Sequence, residues 1–173
     1  MLVLSIGCNS ESPSDETNTT ESQNGVTAPP QTTSSGVQTL VEGELQVCLY
    51  SNSGPISSQD AEGEWTGHDI IYLEDFAESL LLEFIPVKYE SFEGIWSKPS
   101  EGECDVAASG ISDSEERRSQ SNSASWSKPY YDGSSESIGS ESFSFVVRAE
   151  ASALLVVLNH YIGAHPGFYG TEK

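Results

Sequence analysis

Ser112, Glu115 and Arg117 stand at a spacing that suits the capture of a carboxylate. A Ser followed three positions on by a Glu is a capping box, which predicts a helix starting at Ser112 with its orphan N–H groups facing outward. Such an end attracts anions. Arg117 then falls in the second turn. Helical side chains lean toward the N-terminus, so its guanidinium reaches back to the same spot and can fork onto a carboxylate. Capping boxes also begin many ordinary helices, and a second-turn Arg is commonly a solvated charge. The chemistry therefore needs a frame that places a ligand there.

That frame is legible upstream. Leu45-Gln46-Val47-Cys48-Leu49 reads as a short buried strand, followed by a polar loop with turn residues at Ser53-Gly54-Pro55 and Glu62-Gly63. From Asp69 to Leu82 apolar residues at 70, 73, 77, 80 and 81 predict an amphipathic helix. Phe84 to Tyr89 is a second strand, and Pro86 within it suits an edge position. A short helical segment from Phe92 is expected to stop at Pro99. Asp105 to Ala108 is a third strand running into the Ser109 turn. Alternating strands and helices imply an α/β fold, a parallel sheet flanked by helices. Ligands bind such sheets beyond the strand ends, at a topological switch point. If the first and third strands are neighbours, Tyr50, Ser53, Ser109 and Gly110 face one crevice.

The chain has 173 residues, with 27 Asp and Glu against 7 Lys and Arg, a formal charge of -20. Phosphate recognition needs a basic stripe and none is written here, which argues against nucleic acid as a partner. Carboxylates run through every segment, which reads as a general surface property. At molar salt the screening length falls to about 3 Å, where such self-repulsion is tolerable, so the composition points to a halophile's secreted protein. Cys8, Cys48 and Cys104 are too few for a disulfide framework. The last two, offset by roughly 10 Å along parallel strands, are expected to be buried thiols. His160 and His165 are not at metal-ligand spacing. Neither metal nor cofactor is expected.

Met1 to Cys8 is a short apolar run ending in Gly7-Cys8. It resembles the tail of a lipoprotein signal peptide, which implies a lipid on Cys8; the other reading is an N-terminal strand with a free thiol. Residues 9–40 are rich in Ser, Thr, Asn, Glu, Gln and Pro with no Lys or Arg, which predicts a disordered tether. Asn18-Thr19-Thr20 is an N-glycosylation sequon. No segment is long enough to cross a bilayer as a helix. This order expects an extracytoplasmic protein held to the outer face of the cell membrane by lipid alone.

Six pieces in order carry a wider resemblance: Leu45-Gln46-Val47, Gly54-Pro55-Ile56, Gly63 to Asp69, Gly102-Glu103-Cys104-Asp105-Val106, Ser109 to Arg117, and Ser127-Lys128-Pro129-Tyr130-Tyr131. Together they resemble the extracellular solute-binding proteins that deliver polar amino acids to ABC transporters; the acidity gives the chain a haloarchaeal look. The resemblance implies a type II periplasmic-binding-protein-like lobe, with Arg117 on the ligand α-carboxylate, the Ser112 hydroxyl beside it and the Ser109–Gly110 backbone completing the cradle. Pro129-Tyr130 would pack beneath the cleft. Ser53 stands where relatives place an aromatic platform and Ile56 where they place a phenylalanine; Tyr50 would substitute, or would simply pack.

The likeness runs to Gly133. Residues 41–133 would be the first lobe, and 134–173 a divergent or truncated segment with one strand near Ser142–Arg148 and a helix over Ala151–Tyr161, the second lobe being largely missing. The function this implies is capture of a polar amino acid or similar small carboxylate, with ABC permease subunits as partners. Two other classes stand beside it. A dehydratase or lyase would need a placed acid or base in the cleft. A surface sensory module, or a degenerate fragment, would keep the lobe without transport.

Overall fold

The computed structural model describes residues 31–32, 36–132 and 141–166. Cys8, the sequon at Asn18 and most of the expected tether lie outside the described residues. Along the chain run β1 (Gln31–Thr32), β2 (Gln38–Thr39), β3 (Glu44–Tyr50), β4 (Asn52–Ser53), β5 (Ser57–Gln59), β6 (Trp65–Thr66), α1 (His68–Ser79) and β7 (Glu83–Tyr89). A 3-10 turn (Ile95–Ser97), α2 (Lys98–Glu101), β8 (Val106–Ala107), α3 (Glu115–Gln120), β9 (Ser125–Trp126), β10 (Tyr131–Asp132), β11 (Ser142–Phe143), β12 (Val146–Val147) and α4 (Ser152–Ala164) follow.

The main sheet has the order β7-β3-β8-β12-β9. β3 lies parallel to β7 over its whole length and parallel to β8 through Val47↔Val106 and Cys48↔Ala107. The first and third expected strands are thus neighbours, and Pro86 sits on the edge strand, where its missing N–H costs no ladder bond. β12 corrects the purely parallel expectation. It inserts antiparallel to both β8 and β9.

Strand alternation divides the core between the two faces of the sheet. Leu45, Val47, Leu49, Val106 and Val147 face α1 and α4 and pack with Leu73, Phe76, Leu154 and Leu158. Burying a Leu or Phe of this kind contributes about 1.5–3 kcal/mol. Cys48, Ala107 and Val146 face the other way, onto Ile95, Trp96, Cys104, Ile111 and Trp126. Tyr130 stacks on Phe145 at 3.9 Å, the packing role expected of it.

α1 starts without a side-chain cap. Loop carbonyls serve instead: His68 N–H donates to Pro55 O at 3.1 Å and Asp69 N–H to Ile56 O at 3.0 Å. The approach is so close that a Cβ on Gly67, at φ 127°, would meet Ile56 O at 2.4 Å. Only glycine fits there. The helix ends at Ser79, earlier than periodicity suggested. Leu81 takes φ 58°, and Leu82 N–H and Leu81 N–H close a Schellman pair onto Ala77 O and Glu78 O. Leu81 is therefore exposed, not part of the apolar stripe.

Further expectations are corrected. Pro99 opens α2 near its first position, where proline is preorganised, and does not end a helix. Cys48 and Cys104 form a disulfide with Cα atoms 5.7 Å apart, and are not free thiols. Cys104 precedes β8 and does not continue its line; leaving α2 through the left-handed Gly102, the chain brings it over the face onto which Cys48 points. The lobe also begins before Val41. Val37 and Thr39 are fully buried, and Asp105 Oδ1 accepts Leu40 N–H at 2.8 Å, so the last residues assigned to the tether belong to the fold.

Candidate functional site

β3 is the switch point: α1 returns the chain to one side of it at β7, and the β7–β8 connection carries it to the other. The loops leaving the C-terminal ends of β3 and β8 meet there. Tyr50 N–H donates to Ser109 Oγ at 2.9 Å, and Ser53 Oγ to Ser109 O at 3.4 Å. The Ser57 and Ser109 hydroxyls are 2.7 Å apart. Ser109 is buried and holds φ 99°, a left-handed conformation costing a non-glycine residue of order 1–3 kcal/mol. Gly110 follows at φ 71°.

The N–H groups of this turn do not face the crevice. Ser109 N–H and Gly110 N–H donate to Asp69 Oδ2 at 2.7 and 3.0 Å, and Tyr130 Oη donates to the same oxygen at 3.0 Å. The expected backbone cradle for a ligand is thus taken by an internal carboxylate. The reason is local. Asp69 occupies the first turn of α1, whose start is fixed against the loop after β3, and that fix aims its side chain beneath the turn.

The capping box is corrected as well. Ser112 bridges to Phe143 in extended backbone, and its hydroxyl binds the Glu141 carboxylate. α3 begins at Glu115 with Ser114 as N-cap, its Oγ accepting Arg117 N–H at 3.2 Å. Arg117 is therefore in the first turn of a six-residue helix. Its Nη1 donates to Ser112 O at 3.1 Å. The guanidinium carbon lies 4.7 Å from the Trp96 ring centre and 5.2 Å from that of Phe92. These contacts fix a planar cation in place. Among the described residues no carboxylate pairs with Arg117, whereas neighbouring Arg118 is forked by Asp113.

All six residues singled out from the sequence (Tyr50, Ser53, Ser109, Gly110, Ser112 and Arg117) gather at this end of the sheet. Three more were missed. Asp69 was legible only as one letter of a motif, although an Asp heading an apolar helix face was a signal. Phe92 and Trp96, one helical turn apart after β7, carry an aromatic pattern that was read only as a short helix. Tyr50 and Phe92 rings lie 6.0 Å apart, and Phe92 and Trp96 rings also 6.0 Å, so the aromatics form a continuous wall beside Arg117.

A lobe of this topology, with a buried turn at the switch point of the sheet, belongs to the class of periplasmic-binding-protein-like domains. Over residues 45–165 the sequence matches the bacterial extracellular solute-binding proteins, family 3, and the chain belongs to that family. The match runs through β12 and α4, well past the last sequence motif at Tyr131. Among solved structures, domain 1 from TmArgBP in its arginine-bound form is 27% identical, with a TM-score of 0.62, covering 71% of this chain and 94% of that one. An ancestral arginine-binding protein bound to glutamine (16% identity, TM-score 0.60, 72% and 92% covered) shares the fold. So does AncCDT-1, an ancestral amino acid-binding protein described as a precursor of cyclohexadienyl dehydratase (15%, 0.59, 70% and 88%). No curated protein sequence matches the chain.

Proposed function

We propose that this protein captures a polar amino acid, or a similar small carboxylate, at the C-terminal ends of β3 and β8, as the substrate-binding component of an ABC importer. Arg117 takes the ligand carboxylate, with the Ser112 region beside it. The Tyr50–Phe92–Trp96 wall replaces the platform that Ser53 does not supply. The observation that carries this reading is Arg117 itself: in a chain with 27 Asp and Glu it is left without a carboxylate partner among the described residues while stacked and hydrogen-bonded into one orientation. The arginine-bound state of the 27%-identical TmArgBP domain supports a cationic amino acid as the first ligand to try. Binding is preferred to catalysis because Asp69, the buried carboxylate under the turn, already accepts three hydrogen bonds from the protein itself.

We further read Cys8 as a lipid anchor on the outer face of the membrane, permease subunits as the docking partners, and strong salt as the working medium. The test is calorimetric titration of the full chain with L-arginine and L-glutamine in molar salt. Arg117→Ala should weaken binding roughly 10- to 100-fold, the worth of a charge-assisted hydrogen bond. Arg117→Lys should restore little, since ammonium neither stacks nor forks. Unchanged affinity in Arg117→Ala sinks the site.

A further inference from the structure

Asp69 has no part in the reading above beyond being occupied, yet it touches the turn that every proposed contact depends on. The carboxylate is fully buried. One oxygen, Oδ2, gathers two successive backbone N–H groups and the Tyr130 hydroxyl. Two successive N–H groups of the turn converge on this one oxygen, an arrangement whose partial charges favour an anion. Because each peptide is planar and trans, turning both N–H groups toward Asp69 turns the paired carbonyls the other way. One of these, Ser109 O, accepts Ser53 Oγ across the crevice. Three residues further on stands Ser112, whose carbonyl holds Arg117, and two beyond that Ser114, the cap of α3.

We propose that Asp69 is a positioning residue of the ligand site: its carboxylate ties down the two N–H groups of the turn from below, holds Ser109 in its left-handed conformation, and so sets where Ser112 and Arg117 meet a ligand. The assignment rests on the binding function proposed above, and the conservative variant separates it from a role in stability alone. Asp69→Asn keeps the volume and removes the charge. It is expected to weaken L-arginine binding by roughly 10-fold, the loss of hydrogen bonds to a charged group. In nuclear magnetic resonance the Ser109 and Gly110 amide protons should move upfield and exchange faster, with shifts spreading to Ser112 and Arg117. Tyr130→Phe, which spares both turn N–H groups, should lower the melting temperature and leave affinity unchanged.

Ser109→Gly should partly suppress Asp69→Asn, because glycine holds positive φ without help; this double variant also serves if the single one does not fold. Equal loss of stability in Asp69→Asn and Tyr130→Phe with affinity kept in both overturns the proposal, as does a double variant no better than the single. If the wild-type chain binds neither L-arginine nor L-glutamine, the binding reading fails for these ligands and the amide shifts decide Asp69 alone. Shifts reaching Arg117 uphold it, and shifts confined to α1 overturn it.

Discussion

Two fully buried aspartates bracket the two-residue strand β8, and they are neutralised in different ways. Asp105, just before the strand, meets Arg148 at 3.0 Å and accepts N–H groups from Leu40 and Gln46 at 2.8 and 3.0 Å. Arg148 also reaches Gln38 O at 3.2 Å and Glu150 at 3.1 Å. Asp69, at the turn just after the strand, gathers the turn's two N–H groups and a phenol. Burial pushes the Asp105 carboxyl above its ordinary value, against the pull of the Gln46 and Leu40 N–H groups and of Arg148. The difference separates two tasks. A charge pair ties distant segments, here the amino-terminal residues and the chain after β12, into one clamp. An anion that gathers two neighbouring N–H groups shapes a single turn.

The comparison breaks most visibly at the clamp. Arg148→Ala leaves Asp105 buried and uncompensated, a loss of about 3–5 kcal/mol in chemical denaturation. Affinity of the remaining folded protein for L-arginine should not change, because the clamp lies at the opposite end of β8 from the crevice. A parallel fall in affinity would show that the two ends are one unit.

The disulfide lies between the two tasks, tying β3 to the approach to β8 across 56 residues. Replacing Cys48 and Cys104 together with alanine should cost roughly 2–5 kcal/mol by the same measurement. A cost below that range would mean that the strand pairing alone holds the crevice loops together.

Two smaller effects sharpen the contrast by touching neither task. Leu81 is 84% exposed at φ 58° and contacts neither aspartate. Leu81→Gly should raise stability by about 1 kcal/mol, the ordinary cost of a left-handed L-residue, with no change in binding. Tyr89, at the end of β7, is pushed up from 10.0 to about 12 by burial first and then by its hydrogen bond to Glu103. A raised phenol value means that its contribution to stability is complete below pH 10 and is lost as pH rises to about 12. Glu103→Gln should lower the phenolate midpoint in an absorbance titration; an unmoved midpoint would assign the shift to burial alone.

Much of the frame was readable because it is written locally. The run Leu45–Leu49 could only be a buried strand, Pro86 could only be tolerated at an edge, and the Ser109 turn announced itself between a strand and a polar helix. What was misread depended on partners far away in sequence. Ser112 and Glu115 satisfy the capping-box spacing, but Phe143 draws Ser112 into a bridge, and the cap passes to Ser114. Extrapolating strand rise separated Cys48 from Cys104, while the left-handed Gly102 brings them together. That Phe92 and Trp96 would form one wall with Arg117 lying on it was set by the tertiary fold.

By itself the sequence determined the α/β class, the order of β3, α1, β7 and β8, and the family, since periodicity, turn residues and motif order are properties of contiguous stretches. Only the tertiary structure decided which donors face a ligand. Ser109 and Gly110 lie 40 and 41 residues from Asp69, and an N–H group points wherever its nearest buried acceptor fixes it. That direction is set by packing across the sheet, which no local pattern records.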